Sequence, residues 1–180
     1  MIATRRFSIR DFTTAERAAF CTYHADPRYR ALFEPARAES GGPEELLARF
    51  AAWAAEVPRR NYQLAVVARE GGALVGCCGL RRASLDADAA EMGLELSPDY
   101  WGRFAYAIEI SVSLIEFGFA KLGLSEIAGR TQDANARAMR LAEWFGATVA
   151  VERAGPGWTE VEWRISREIW RCSRVGPRYR

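Results

Sequence analysis

The chain predicts an α/β domain, on three observations. Short stretches of alternating apolar and polar residues are interleaved with stretches whose apolar residues recur at helical spacing. Their order is strand, helix, helix, strand, strand, strand, helix, strand, helix, strand, strand. At 180 residues the chain is long enough for one sizeable core, and its 49% hydrophobic content excludes a mainly disordered protein. There is no internal repeat, low-complexity stretch or linker, so residues 1–180 are expected to form one domain, with residues 171–180 an Arg-rich C-terminal tail.

In residues 4–11, Arg5, Phe7 and Ile9 alternate with more polar neighbours and open the sheet. Thr13 or Thr14 can cap the helix that follows. The helical pattern breaks around Asp26-Pro27 and again over residues 34–43. Gly41-Gly42-Pro43 then leads into the helix EELLARFAAWAAEV, which stops near Pro58. These two helices and their linker are where a substrate-specific surface is expected. QLAVVARE and ALVGCCGL read as a hairpin around Gly71-Gly72. Residues 90–96 form a further strand ended by Ser97-Pro98. Period two puts Met92, Leu94 and Leu96 on one face and Glu91, Gly93 and Glu95 on the other. Over residues 104–122, Ile108, Val112, Ile115 and Phe119 recur at helical spacing, and Gly123 ends the helix. Residues 125–131 read as a strand and residues 134–145 as a helix closed by Gly146. ATVAVER and TEVEWRIS then form two strands around the turn Gly155-Pro156-Gly157.

Composition excludes several function classes. No apolar run approaches the ~18 residues that would span a bilayer. The opening MIATRRFSIRDF carries charge where a signal peptide needs its apolar segment, so a cytoplasmic location and no membrane partner are expected. Cys21, Cys77, Cys78 and Cys172 match neither a zinc spacing nor a disulfide framework, and read as inert thiols. With His24 the only histidine, neither a His-based metal site nor a Ser-His-Asp triad has the residues it needs, and no metal is expected. A net charge of +2 does not argue for nucleic acid. Residues 167–180, however, carry Arg167, Arg171, Arg174, Arg178 and Arg180 against Glu168 alone; a solvated tail is expected, with nucleic acid or ribosome contact the alternative. Lys121 is the single lysine, and with abundant alanine this composition suggests a GC-rich bacterial genome.

Residues 91–147 carry the most information. AEMGLELSPDYWGRFAYAIEISVSLIEFGF followed by LSEIAGRTQDANARAMRLAEWFGA resembles the acyl-coenzyme A binding core of the GNAT N-acyltransferases, in the branch typified by the RimJ/RimL ribosomal-protein acetyltransferases. The order of elements resembles the family's across essentially the whole chain. The resemblance implies a central, mixed, mostly antiparallel twisted sheet flanked by helices, with acetyl-coenzyme A as co-substrate and an amine as acceptor. The family's [Q/R]-x-x-G-x-[G/A] segment, whose amides bind the coenzyme A pyrophosphate, falls on Gly102, Arg103, Phe104, Ala105, Tyr106 and Ala107, with Ala105 in place of the middle glycine. Amides and dipole at a helix start favour an anion on physical grounds alone. Compared with the branch form W-G-[KR]-G-Y-A, one residue is inserted after Trp101-Gly102-Arg103. The second family pattern, N-x-x-[SA]-x-x-x-[YLM]-x-x-x-G-[FM], falls on Asn135, Ala138, Ala142, Gly146 and Ala147. It implies that Asn135 contacts the pantetheine arm, although an Asn opening a helix is also an ordinary cap.

The reaction implied is attack of an amine on a thioester, which needs a base and a donor for the oxyanion. Glu91 is the first choice of base: Ala90-Glu91-Met92 is similar to the A-E-[IV] of histone-type relatives. Glu95, on the same face, is the reserve. The resemblance places the oxyanion donor among the backbone amides near Leu94 and Leu96. Ala138 and Ala142 stand where relatives carry a Ser or Tyr acid, leaving Tyr106 as a substitute donor. The expected function is acetyl transfer to a primary amine of a small molecule or a protein N-terminus. The alternative is a GNAT-fold module that binds acyl-coenzyme A with little or no turnover. A homodimer is compatible with the sequence.

Overall fold

Eight strands among the described residues form one sheet in the order β1-β2-β3-β4-β5-β6-β8-β7. The computed structural model describes residues 1–37, 41–84, 86–133, 135–155 and 158–172. β1 (Ile2–Ala3), β2 (Phe7–Arg10), β3 (Asn61–Ala68), β4 (Leu74–Arg81) and β5 (Ala89–Leu96) pair antiparallel in sequence order. β5 then runs parallel to β6 (Glu126–Gln132), which pairs antiparallel with β8 (Trp158–Ser166), and β7 (Thr148–Gly155) forms the edge. The sheet is therefore mixed and mostly antiparallel, as expected.

The helical layers follow from strand alternation. In β3, Leu64 and Val66 join one core while Ala65 and Val67 join another. The first core packs under α4 (Phe104–Ala120), with Ile108, Val112, Ile115 and Phe119 of the sequence pattern all buried there. The second packs under α1 (Arg17–Ala25), α2 (Pro27–Arg37) and α3 (Pro43–Ala54) around Phe20, Tyr23, Tyr29, Leu46 and Phe50. Thr13 caps the turn before α1, its side chain and Glu16 forming a reciprocal capping box.

Several local expectations are corrected. The strand expected over residues 4–11 is confined to β2, and β1 precedes it, the two joined by a turn in which the Thr4 amide donates to the Phe7 carbonyl at 2.9 Å. Asp26-Pro27 is a helix start rather than a break in pattern. Asp26 is extended, its Oδ1 accepts the Arg28 amide at 2.8 Å, and Pro27 opens α2, where its missing N–H costs nothing. Among the described residues there are thus three α-helices between β2 and β3, not two. Arg167 does not lie in a solvated tail: α6 (Arg167–Cys172) follows β8, Trp170 is 3% exposed, and the Arg167 Nε donates to the Leu124 carbonyl at 2.7 Å. The tail from residue 173 lies outside the described residues, as do Pro156 and Gly157 of the last turn, residues 38–40 of the linker, and Ala134.

Candidate active site

β5 and β6 pair over only three positions, Ala89↔Glu126, Ala90↔Ile127 and Glu91↔Ala128. Beyond Glu91, β5 stays with β4 up to Gly76↔Leu96 while β6 stays with β8 up to Gln132↔Glu160, so the two parallel strands part. The Ser97 amide bonds the Val75 carbonyl on β4 at 2.8 Å, and period two directs the amides of Met92, Leu94 and Leu96 to the opposite edge, facing the gap. The Leu96 carbonyl on that edge accepts the Trp101 indole N–H at 2.8 Å.

A cavity of about 680 Å³ occupies the opening. It is lined from one core by Met92, Ala142, Phe145 and Trp163 and from the other by Leu46, Phe50 and Cys77. The gap in the sheet thus joins the two faces. Gly129 on β6 lets the Trp163 ring of β8 lie across it; a Cβ there would come within 2.1 Å of the ring.

Two helix starts meet the cavity. Gly102 has φ +80, a left-handed turn suited to glycine, and Arg103 is the N-cap of α4. Helix geometry leaves the amides of Phe104 and Ala105 ahead of the first intrahelical bond, whereas the Tyr106 amide already donates to the Arg103 carbonyl at 2.8 Å. Gly102, Arg103 and Ala107 line the cavity. Ala105 is exposed, and its carbonyl accepts an N–H of Arg6 at 3.0 Å. The Tyr106 ring packs edge-on to Phe7 at 5.0 Å with the Arg6 guanidinium 4.7 Å above it, and its hydroxyl accepts from Arg103 at 3.2 Å. Asn135 opens α5 (Ala136–Trp144); its Oδ1 accepts the Ala138 amide at 3.2 Å, and the residue also lines the cavity, so cap and site coincide. Arg137 and Arg140 on α5 add positive charge to the lining. Two helix N-termini, a glycine turn and three guanidiniums, counting Arg103, suit a polyphosphate.

Glu91 and Glu95 both reach this cavity, in different company. Glu91 is 39% exposed and sits between two guanidiniums, Arg81 at 2.9 Å and Arg130 at 3.8 Å. Glu95 is 11% exposed. Its Oε1 accepts from the Tyr23 hydroxyl at 2.7 Å and the Cys77 thiol at 3.3 Å, with His24 Nε2 at 3.1 Å, while Oε2 accepts from the Tyr29 hydroxyl at 2.8 Å. Burial, and next the Glu95 charge, push both the Tyr23 hydroxyl and the Cys77 thiol well above their ordinary values, so both keep their protons and remain donors.

Sequence reasoning passed over these neighbours. Tyr23 and Tyr29 sit on separate helices at a spacing with no signature, His24 reads in sequence only against a metal site or a Ser-His-Asp triad, and Cys77 only as an inert thiol. Arg81 and Arg130 carried no motif either. A polar chain links the carboxylates: Glu91 to Arg81, Arg81 to Gln63 at 3.1 Å, Gln63 to Cys77 at 3.2 Å, and Cys77 to Glu95. Among the described residues no group of three or more His, Cys, Asp or Glu could hold a metal ion, and no helix is long and apolar enough to cross a membrane.

Comparison with known proteins supplies the family. Among solved structures, an acetyltransferase of the GNAT family from Bacillus anthracis superimposes with a TM-score of 0.74 at 21% identity, covering 93% of this chain and 98% of that one. Spermidine N-acetyltransferase from Vibrio cholerae, in complex with CoA and spermine, gives 0.73 at 13% identity, covering 91% and 97%. Of the curated proteins, the uncharacterized N-acetyltransferase p20 of Bacillus licheniformis is 27% identical over 79 residues, 44% of each chain. The uncharacterized N-acetyltransferase YoaA of Bacillus subtilis is 30% identical over 69 residues, 38% of each, so the matched stretch spans less than half of either relative. The model of the acetyltransferase (GNAT) domain matches residues 6–148, most of the chain. A parted parallel strand pair meeting two helix starts is thus found in a chain that belongs to the GNAT acetyltransferase family.

Proposed function

We propose that this domain transfers the acetyl group of acetyl-coenzyme A to a primary amine of a small molecule or a protein N-terminus. The observation that carries this reading is that one cavity brings together the β5 edge, the starts of α4 and α5, and two carboxylates. Acetyl-coenzyme A supplies the activated thioester carbonyl. The amides of Phe104 and Ala105, with Arg103, Arg137 and Arg140, hold its diphosphate, and Asn135 lies along its pantetheine arm. Trp101-Gly102-Arg103 at the start of the loop supports a RimJ/RimL-like affiliation.

Glu95 takes the proton of the incoming ammonium, directly or through a water. Its neighbours favour it over Glu91, whose carboxylate is already engaged by two arginines. As the amine nitrogen attacks the thioester carbon, an amide of Leu94 or Leu96 donates to the oxygen that gains charge. The nitrogen sheds its second proton to water, the oxyanion collapses, the C–S bond breaks, and a thiolate with a pKa of about 8.5 leaves with little proton assistance. This suits a cavity lined by Ala138 and Ala142 where relatives carry a hydroxyl, and a Tyr106 ring engaged with Phe7 and Arg6.

The same two alanines favour the second reading, a binding module without turnover. Thiol release with a panel of amines separates the two: acetyl-coenzyme A binding by calorimetry with no release under any amine selects the module. For the enzyme, Glu95→Gln lowers turnover by about 10²-fold at neutral pH, with partial recovery at high pH, where the amine deprotonates unaided. A loss confined to Glu91→Gln transfers the role to Glu91.

A further inference from the structure

We infer that Tyr23 and Tyr29 are positioning residues for the base Glu95, one hydroxyl bound to each carboxylate oxygen, and that the Asp26-Pro27 corner between α1 and α2 puts the pair in place. The inference rests on the acetyltransferase reading with Glu95 as base, and deepens it. The Tyr23 hydroxyl donates to Oε1 at 2.7 Å and the Tyr29 hydroxyl to Oε2 at 2.8 Å. The two tyrosines are six residues apart in sequence. Along an unbroken helix that spacing is a rise of about 9 Å and a rotation of about 240°, which would point them from different faces. The chain instead leaves helical geometry at Asp26, extended at ψ 127, and Pro27 begins α2. Asp26 Oδ1 fixes this corner by accepting the Arg28 amide at 2.8 Å. Tyr23 in the last turn of α1 and Tyr29 in the first turn of α2 then converge on one carboxylate.

The rings are set before any ligand arrives. Tyr23 is 5% and Tyr29 2% exposed, and they meet edge-on at 5.3 Å. Phe20 packs edge-on against Tyr23 at 5.3 Å, and the His24 ring stacks on Tyr29 at 4.7 Å. A buried phenol hydroxyl needs an acceptor, and a buried carboxylate needs donors in place of water, so each supplies what the other lacks. Donors arriving from two helices, one per oxygen, set the plane of the carboxylate as well as its place. His24 of α1 and the Cys77 thiol of β4 also meet Oε1, at 3.1 and 3.3 Å, while Glu91 of the same strand and Arg49 of α3 line the same cavity. Glu95 itself lines the cavity, whereas neither tyrosine is part of its described lining. The hydroxyls therefore act through Glu95 and not on the acceptor.

Each hydroxyl favours the ionised carboxylate, so removing one makes Glu95 hold its proton to higher pH. Carbon-13 NMR of protein labelled at the glutamate δ carboxyl follows this directly, with Glu95→Gln identifying the signal. Tyr23→Phe and Tyr29→Phe keep the rings and lose only the O–H, and each is expected to move the Glu95 midpoint to higher pH. An unmoved midpoint in either variant overturns the inference. With 2-phenylethylamine as the probe amine at saturating acetyl-coenzyme A, Tyr29→Phe is expected to lower kcat about tenfold and to move the acid limb of the pH–rate profile to higher pH. KM and acetyl-coenzyme A affinity should stay within about twofold, the retained affinity showing that the variant is folded. An unchanged kcat, or a lower one with the acid limb unmoved, assigns the hydroxyls to structure alone and overturns the inference as well. Should the parent not turn over this amine, the NMR midpoints decide by themselves. Full turnover in Glu95→Gln is a separate result, which overturns the assignment of Glu95 as base and this inference with it.

Discussion

The Glu16 carboxylate sits between Arg10, whose Nη2 lies 2.7 Å away, and the Thr13 amide and hydroxyl, each at 2.8 Å, with the residue only 5% exposed. The Arg10 hydrogen bond leads the causes that hold its carboxyl down at about 2, outweighing burial. The ordinary value is about 4.3, so the folded state binds this proton less readily than the unfolded chain. Its stabilisation is therefore fully present above about pH 4.3 and is lost as pH falls toward 2. Glu16→Gln is expected to cost about 2 kcal/mol at pH 7, and the difference from the parent should shrink between about pH 4 and pH 2. Urea unfolding at a series of pH values measures this; a difference that stays constant down to about pH 2.5 would assign the effect to packing instead. At this scale the cap at Thr13 was legible, because capping is local. The surroundings of Glu95 were not: Tyr23, Tyr29 and Cys77 lie 72, 66 and 18 positions away in sequence.

At the scale of the element, the diphosphate site proposed at the start of α4 asks little of side chains. Phe104 is the first residue of the helix, where proline is tolerated and the backbone amide is lost. Phe104→Pro is expected to weaken acetyl-coenzyme A binding about tenfold or more, and Arg103→Ala only a few fold, because the backbone carries the contact. Isothermal calorimetry on both variants reads the order, and equal affinity in both and in the parent would move the diphosphate to other groups. The same logic explains how Ala105 can replace a glycine: it supplies the same amide, and the left-handed turn is provided by Gly102 at φ +80. Element limits read from periodicity held to within a few residues for α4, α5 and β5. α2 is not legible in the periodicity, because its opening proline reads equally as an interruption.

Across the whole molecule, α6 closes the side of the first core. Trp170 is buried, its indole N–H donates to Glu116 on α4 at 2.8 Å, and its ring meets Phe145 at the end of α5 at 5.9 Å, edge-on. The last helix thus ties together the two helices whose starts face the cavity. Trp170→Ala is expected to cost about 3–5 kcal/mol in stability through the cavity it leaves and the loss of the indole hydrogen bond to Glu116. Thermal and urea unfolding read this directly, and a loss below about 1 kcal/mol would show that α6 is a peripheral appendage.

The sequence by itself determined what is local or periodic: the strand faces of β5 with Glu91 and Glu95 together, the helical stripe of α4, the hairpin, the glycine turn before α4 and the Asn135 cap. It also carried the family, through two motifs placed on consecutive helices. Only the tertiary structure decided what distant segments do to one another. β5 and β6 share three paired positions and then part, a result of what each strand pairs with on its other side, which no periodicity within either strand encodes. The different surroundings of two carboxylates on one strand face are of the same kind. Four residues apart, Glu91 and Glu95 are alike in pattern, and they are distinguished by the arginines of β4 and β6 at one and the aromatic residues of α1 and α2 at the other. Charge and proton affinity depend on what surrounds a group in space, and that is assembled only when the chain folds.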